Sequence, residues 1–389
     1  MHNFLGKTSS HEEEDHVSHG TRADFGKLKP LIRSVSSDKT FEYVVVATGM
    51  HLDDRYGRTE TEIKKSGFSN LISFSNSGLD SSMDVTLART ITGLSPIVQQ
   101  QAPDLLVIHG DRVEALAGAI TGSLNNILVA HIEGGEVSGT VDESIRHAVS
   151  KLAHVHFVAN REARKLLIQL GEHPKTIFVI GAPEIDIMLS SSLPSLDEVQ
   201  RYYQIPFANF ALLIFHPVTT EMSDIKRQIQ VVLEAARDTS DNYVVIYPNN
   251  DHGSELILQE LMALVTDSRF RLLPSIRFEA FQTLLKSATY ILGNSSSGVR
   301  EAPVHGVPAV NIGSRQHRRV RDPLVIDSPP YVEPIKEAII RAKSTARRQS
   351  RRQGNGSSSN EFMSVVSSAE FWKLPIQKEI QLDHRTQLD

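Results

Sequence analysis

Short apolar runs alternate with amphipathic stretches along most of this chain. The runs at 41–49 (FEYVVVATG), 105–110 (LLVIHG), 127–132 (ILVAHI), 154–160 (HVHFVAN) and 176–186 (TIFVIGAPEID) lack the alternation of a strand with one wet face. They predict buried parallel strands. Between them, 83–101 has helical spacing, with Val85, Leu87, Ile91, Leu94 and Ile97 as its buried side. VEALAGAITGSL is a small-residue helix, and Ile145, Ala148, Val149 and Leu152 form an apolar stripe on the next one. Leu28, Leu31 and Ile32 give an earlier helix a core face. This order is βαβ grammar and predicts parallel sheets with right-handed crossovers. It restarts after SSSLPSLDE with FALLIFHPVTT, YVVIYPNNDHGS, RFRLLPSI, TYILGNSSSGVREAP and VPAVNIGSR. The expected architecture is α/β: two Rossmann-like doubly wound domains, 20–190 and 191–360, facing each other across a cleft. Residues 361–389 pack back on the body through Phe371 and Trp372. Residues 1–19, acidic and rich in histidine, predict a poorly ordered tail; His11, His16 and His19 are read there as solvated groups, not a metal site.

A length of 389 residues agrees with two domains, and 40% hydrophobic with 22% charged residues is ordinary for a globular protein. The net charge of −5 gives no reason to expect nucleic acid, so an anionic ligand must be met locally. There is no cysteine, which removes disulfides and thiolate metal sites. No apolar run reaches the roughly 18 residues of a membrane span, and the charged N-terminus lacks a signal-peptide core. The expectation is a cytoplasmic protein without membrane contact.

The polar residues collect where strands stop, the usual place for ligands in open α/β sheets. Asp111, Glu133 and Asp142 follow the strands at 105–110 and 127–132, with Arg112, Arg146 and His147 beside them. Neighbouring carboxylates repel, which separates their pKa values and allows an acid and a base to coexist. Thr140 and Glu143 fit a capping box, and Asp142 also fits an i to i+4 partner of Arg146. Arg22 is placed near a helix N-terminus, and His51 in a polar loop. In the second half, GNSSSG opens a helix with Ser295, Ser296, Ser297 and Gly298, suited to a phosphate or diphosphate or equally to capping. His216, in HPVTT, is placed to protonate or hydrogen-bond a leaving phosphate, and Arg315 follows another strand end. Carboxylates on one side and anion-binding groups on the other suit a nucleotide-sugar. Neither a Walker A sequence nor a GxGxxG after a strand is present.

GTRAD, TGMH, HGDR, HIEGGEVSGTVDESIRH, HPVTT, PNNDHGS and GNSSSGVRE together resemble the hydrolysing UDP-N-acetylglucosamine 2-epimerases of bacterial sialic and legionaminic acid synthesis, over about residues 20–385. The resemblance implies a glycosyltransferase-B fold, a UDP-sugar substrate and a homodimer or homotetramer. It implies conversion of UDP-N-acetylglucosamine and water to N-acetylmannosamine and UDP through a 2-acetamidoglucal. By motif position Asp111, Glu133 and Asp142 match the catalytic carboxylates and His216 the histidine near the diphosphate. Arg22, Ala23, Arg112, Asn249, Ser295, Ser296, Glu301 and Arg315 match nucleotide- or substrate-contact positions. Carboxylates and histidine suffice for this chemistry, so no cofactor or metal is implied. UDP-N,N′-diacetylbacillosamine is the rival substrate. The chain departs from the family where HEEEDHVSH stands in place of an apolar strand before GTRAD. From that departure follows the alternative of a nucleotide-sugar binder without catalysis.

Overall fold

The computed structural model describes residues 17–19, 22–49, 63–64, 66–76, 82–137, 141–248, 253–317, 322–379 and 381. The chain divides into two units, one comprising Met1–Glu136, Val141–Leu189 and Gly354–Asp389, the other Val137–Thr140 and Ser190–Gln353. The chain leaves the first unit between Leu189 and Ser190 and returns to it at Gly354.

In the first unit β1 (Val17–His19), β2 (Val45–Ala47) and β3 (Leu71–Ser73) form a three-stranded parallel sheet in that order. β4 (Leu105–His109), β5 (Leu128–Ile132), β6 (Val155–Val158) and β7 (Ile177–Val179) form a four-stranded parallel sheet, also in chain order. β1 lies against β4 as well as pairing with β2. The chain therefore runs outward from β1 through β2 and β3, then returns to β4 and runs the other way, which makes the β1/β4 junction a switch point. Within the stretch expected to be a tail, Val17–His19 pair in register with Val45–Ala47, and residues 1–16 lie outside the described residues. Three residues suffice because β2 presents a ready row of backbone partners, and the acidic run HEEED lies upstream, outside the described residues.

The helices of this unit are α1 (Arg22–Ser37), α2 (Met83–Gln101), α3 (Val113–Leu124), α4 (Val141–Leu152), α5 (Arg161–Gln169) and α6 (Pro183–Met188). α1 buries Leu28, Leu31 and Ile32 completely, as their spacing predicts. α2 differs from expectation in its buried face, which is Thr90, Leu94 and Val98, while Val85 is exposed and Leu87, Ile91 and Ile97 are partly buried. Thr90 is tolerated inside because its hydroxyl receives the Asn76 amide at 2.8 Å and donates to the Thr86 carbonyl at 2.7 Å.

The second unit is one six-stranded parallel sheet, ordered β10-β9-β8-β11-β12-β13. Its strands are β8 (Ala211–Ile214), β9 (Tyr243–Ile246), β10 (Phe270–Leu273), β11 (Ile291–Gly293), β12 (Ala309–Ile312) and β13 (Val325–Ser328). Around it lie α7 (Leu196–Tyr203), α8 (Ile225–Arg237), α9 (Ser254–Met262), α10 (Phe278–Ser287), α11 (Ser296–Arg300) and α12 (Val332–Ser344). The strand order reverses between β8 and β11, so the ends of these two strands flank a second switch point. Both units are Rossmann-like, and the fold is the α/β class expected.

After Gly354 the chain rejoins the first unit as α13 (Ser358–Val366). Asp186 receives the backbone N–H groups of Ser358 and Ser359, each at 2.8 Å, and so caps the start of α13. Phe362 and Phe371 stack around Phe157 of β6. Lys378 donates to the carbonyls of Ser150 at 2.7 Å and Ala153 at 2.5 Å, at the end of α4 where backbone oxygens lack helical partners. Its ammonium also meets Glu172 at 2.6 Å, a buried carboxylate shared with Lys151 and His156. Burial opposes ionisation of Glu172, but His156 and the two lysines outweigh it and hold its pKa at about 2. Among the described residues no helix is long and apolar enough to cross a membrane.

Candidate functional site

In the first unit the site starts at the ends of β4 and β5. Because His109 pairs in register with Ile132, the residues after each strand emerge side by side. Gly110 turns with φ +80° and binds the Ile132 carbonyl through its N–H at 3.0 Å; Asp111 follows, and Arg112 is the N-cap position of α3. Directly after β5, Glu133 has φ +71°, unusual for a residue with a Cβ, and its N–H is held by the Phe157 carbonyl at 3.2 Å. Gly135 closes the same turn. A Cβ there would lie 2.3 Å from the Ala163 carbonyl oxygen, so the EGGE stretch needs glycine for close approach of backbone to backbone.

The three carboxylates have different surroundings. Asp111 is paired with Arg146 of α4, whose side chain is only 1% exposed and which also donates to the Glu136 carbonyl at 3.2 Å. Arg146 thereby holds both Asp111 and the EGGE turn. Glu133 is buried, with its Oε2 2.9 Å from His109 Nε2. Asp142 stands in the first turn of α4, partly exposed. A carboxylate there is favoured by the helix dipole. Glu143 is 3.9 Å from His147; Thr140, its expected capping partner, lies outside the described residues.

His131 joins these pieces. Burial lowers its pKa well below the ordinary value, so the ring is neutral. Nε2 is 2.9 Å from the Gly110 carbonyl, which can only accept; that nitrogen therefore carries the proton, and Nδ1 accepts from the Ser150 hydroxyl at 3.1 Å. A fixed tautomer thus ties α4 to the peptide immediately before Asp111.

In the second unit, Asn294 makes a two-way clasp on the residue after β8: its Oδ1 accepts from His216 N–H at 2.7 Å and its Nδ2 donates to the His216 carbonyl at 2.8 Å. Both residues are buried. The Asn294 carbonyl in turn receives Arg315 at 3.3 Å and Gln316 at 3.1 Å. The ends of β8, β11 and β12 are sewn together at the switch point. Ser295 is the N-cap of α11 and its hydroxyl accepts from Ser297 N–H at 3.3 Å, so the capping use is realised for that side chain. Ser296 and Ser297 are partly exposed, Gly298 is buried, and Glu301 follows α11.

The structure therefore brings Asp111, Glu133, Arg112 and Arg146 together in one unit, and His216, Ser295, Arg315 and Glu301 around one sheet end in the other. Arg22 and Ala23 begin α1, after β1. His51 and Asn249 lie outside the described residues. Sequence reading missed His109, His131 and Asn294, each a polar residue at the end of an apolar run. No group of potential metal ligands occurs among the described residues.

Acid stability gives a direct check on the buried histidines. His305 is depressed to about 4 by burial, with Lys286 and Arg347 nearby, against an ordinary 6.5. Below pH 6.5 the unfolded chain takes up protons that the fold refuses, so stability is full above that pH and falls as the pH drops towards 4. His305 alone contributes on the order of 3 kcal/mol to this loss. Glu172 extends it, since its pairing is lost between the ordinary 4.5 and about 2. Urea midpoints should decline from just below pH 6.5; a flat profile from 7 to 4 would contradict the burial of these groups.

Residues 33–367 match the family model described as UDP-N-acetylglucosamine 2-epimerase. The chain is 44% identical over 363 residues to the UDP-N-acetylglucosamine 2-epimerase of Neisseria meningitidis serogroup B, covering 92% of this chain and 96% of that protein. It is 38% identical over 313 residues to the UDP-N,N′-diacetylbacillosamine 2-epimerase (hydrolyzing) of Legionella pneumophila, covering 79% and 83%. The fold is similar, with a TM-score of 0.79 at 19% identity, to Methanocaldococcus jannaschii UDP-GlcNAc 2-epimerase solved with UDP-GlcNAc and UDP, covering 90% of this chain and 98% of that one.

Proposed function

Because the chain belongs to the UDP-N-acetylglucosamine 2-epimerase family, we propose that it is the hydrolysing kind, turning UDP-N-acetylglucosamine and water into N-acetylmannosamine and UDP. The observation that carries this reading is the set of carboxylates, Asp111 and Glu133 at adjacent strand ends and Asp142 on α4, held by Arg146, His109 and His131. A carboxylate base takes the C2 proton as the C1–oxygen bond breaks and UDP leaves, giving a 2-acetamidoglucal. Water then adds at C1 while C2 receives a proton from the opposite face, which inverts C2. Asp111 and Glu133 carry these proton transfers. Asp142 stabilises positive charge at the anomeric carbon or guides water. Neither carboxylate is assigned singly to removal or return.

The second unit supplies the nucleotide end. His216 faces the leaving phosphate, and Ser295, Ser296, Ser297, Gly298 and Arg315 hold the diphosphate through N–H, hydroxyl and guanidinium donors. Arg22, Ala23, His51, Arg112, Asn249 and Glu301 contact the remainder of the UDP-sugar. The alternative of a binder without catalysis, drawn from the altered N-terminus, is weakened by the pairing of β1 with β2, which supports the catalytic reading.

UDP-N,N′-diacetylbacillosamine stays as a second substrate, favoured by the similarity to the Legionella relative. Turnover of both sugars at equal concentration decides between them. The reading expects kcat/KM for UDP-N-acetylglucosamine to be at least about tenfold higher, a margin of about 1.4 kcal/mol; the reverse order would reassign the substrate.

A further inference from the structure

Three buried polar side chains in the second unit form a line, and the proposed function has used only Glu301 of the three. His305 Nε2 is 2.9 Å from Gln282 Oε1, and Gln282 Nε2 donates to Glu301 Oε2 at 2.8 Å. Gln282, on α10, is 0% exposed, Glu301 is 5% and His305 is 7%. The amide is fixed in sense by both ends: its NH₂ must face the carboxylate, so its oxygen must face the ring, and the ring must present an N–H. His305 follows Glu301 by one turn of 3₁₀ helix, Ala302–His305, and α10 supplies the link between them.

Glu301 itself is a costly residue to bury. A carboxylate out of water needs several donors, and the neutral amide of Gln282 supplies one. Among the described residues none meets its other oxygen, Oε1, and none sets a cation against the group. Glu301 directly follows α11, the short helix that the GNSSSG loop opens. A carboxylate repels phosphate and accepts from hydroxyl or N–H groups. Its counterpart is therefore a neutral donor-bearing part of the ligand.

We propose that Gln282, braced by His305, is a positioning residue that holds Glu301 Oε1 towards hydrogen-bond donors of the nucleotide-sugar, apart from its diphosphate. This rests on the UDP-sugar reading of the site. Sequence gives no hint of it, since Gln282 lies in an otherwise apolar helix face, FQTLLKS.

The test uses calorimetric binding of UDP and of inorganic diphosphate, the latter having no such donors. Gln282→Met keeps the volume and apolar fit of the buried site while removing the amide. UDP affinity should fall about tenfold, the size of one hydrogen bond to a charged group, and diphosphate affinity should change less than twofold. An equal fall for both ligands, or no fall for either, would overturn the positioning role. Wild-type protein that fails to bind UDP would overturn the UDP-sugar reading and this inference with it; wild-type binding matched by the variant would overturn this inference alone. Should Met at 282 not fold, His305→Phe leaves the amide in place without its brace. A fall of about threefold for UDP alone is then expected, and unchanged UDP binding would overturn the role.

Discussion

Asp111→Asn should fold, bind UDP within about twofold of wild type, and release UDP from UDP-N-acetylglucosamine about a thousandfold more slowly, the scale of losing a placed acid or base. The folding part follows from the pair with Arg146: asparagine keeps an oxygen for the buried guanidinium, so the cation is not left bare. Loss of the full charge should cost about 1–2 kcal/mol in stability. The binding part follows from the division of labour between the units, since UDP is assigned to groups around β8, β11 and β12. The kinetic part follows from chemistry: an amide neither takes nor returns a proton at neutral pH. Steady-state UDP release with parallel calorimetry checks all three. Near-normal turnover would remove Asp111 from the proton transfers, and lost UDP binding would assign it to the nucleotide instead.

Gly293→Ala should be the most damaging single methyl in the second unit. Gly293 has φ +134°, and a Cβ there would lie 1.9 Å from the Ile214 carbonyl oxygen. That carbonyl accepts the Asn294 N–H at 3.2 Å, so it cannot retreat without breaking the join between β8 and β11. Backbone strain and overpacking together should cost about 3–5 kcal/mol and lower the melting temperature by about 10 °C. The damage should reach function as well. Asn294 is the next residue, and its clasp on His216 depends on the two strands staying in register. UDP binding should therefore fall with stability, even well below the melting temperature. An alanine variant as stable as wild type would contradict the close approach at this strand end.

Much of the fold is legible in the sequence because buried parallel strands announce themselves as uninterrupted apolar runs. β4, β5, β6, β8 and β11 fall within segments read that way. The three-residue strands β1 and β3 are not legible, since VSH and LIS carry no periodicity and become strands by pairing with β2. The shifted face of α2 has a similar cause. Its apolar residues cover more than one side, and the neighbouring α3 and the Asn76 amide decide which are buried. The site divides in the same way. Asp111, Glu133 and Asp142 stand out locally, as charge directly after strand or turn. Their holders do not: His109 meets Glu133 through strand register, and Arg146 reaches Asp111 from another helix. Asn294 was inside a recognised motif, yet its clasp on His216 spans two motifs far apart in sequence. Long-range polar pairing leaves no spacing to read.

The claim that water, and no returned UDP, completes the epimerisation is tested most directly in deuterated water. Incubated there with UDP-N-acetylglucosamine, the protein should release UDP together with free N-acetylmannosamine carrying deuterium at C2, because the proton returned at that carbon comes from solvent through a carboxylate. UDP-N-acetylmannosamine as the product, or free sugar without deuterium at C2, would contradict it.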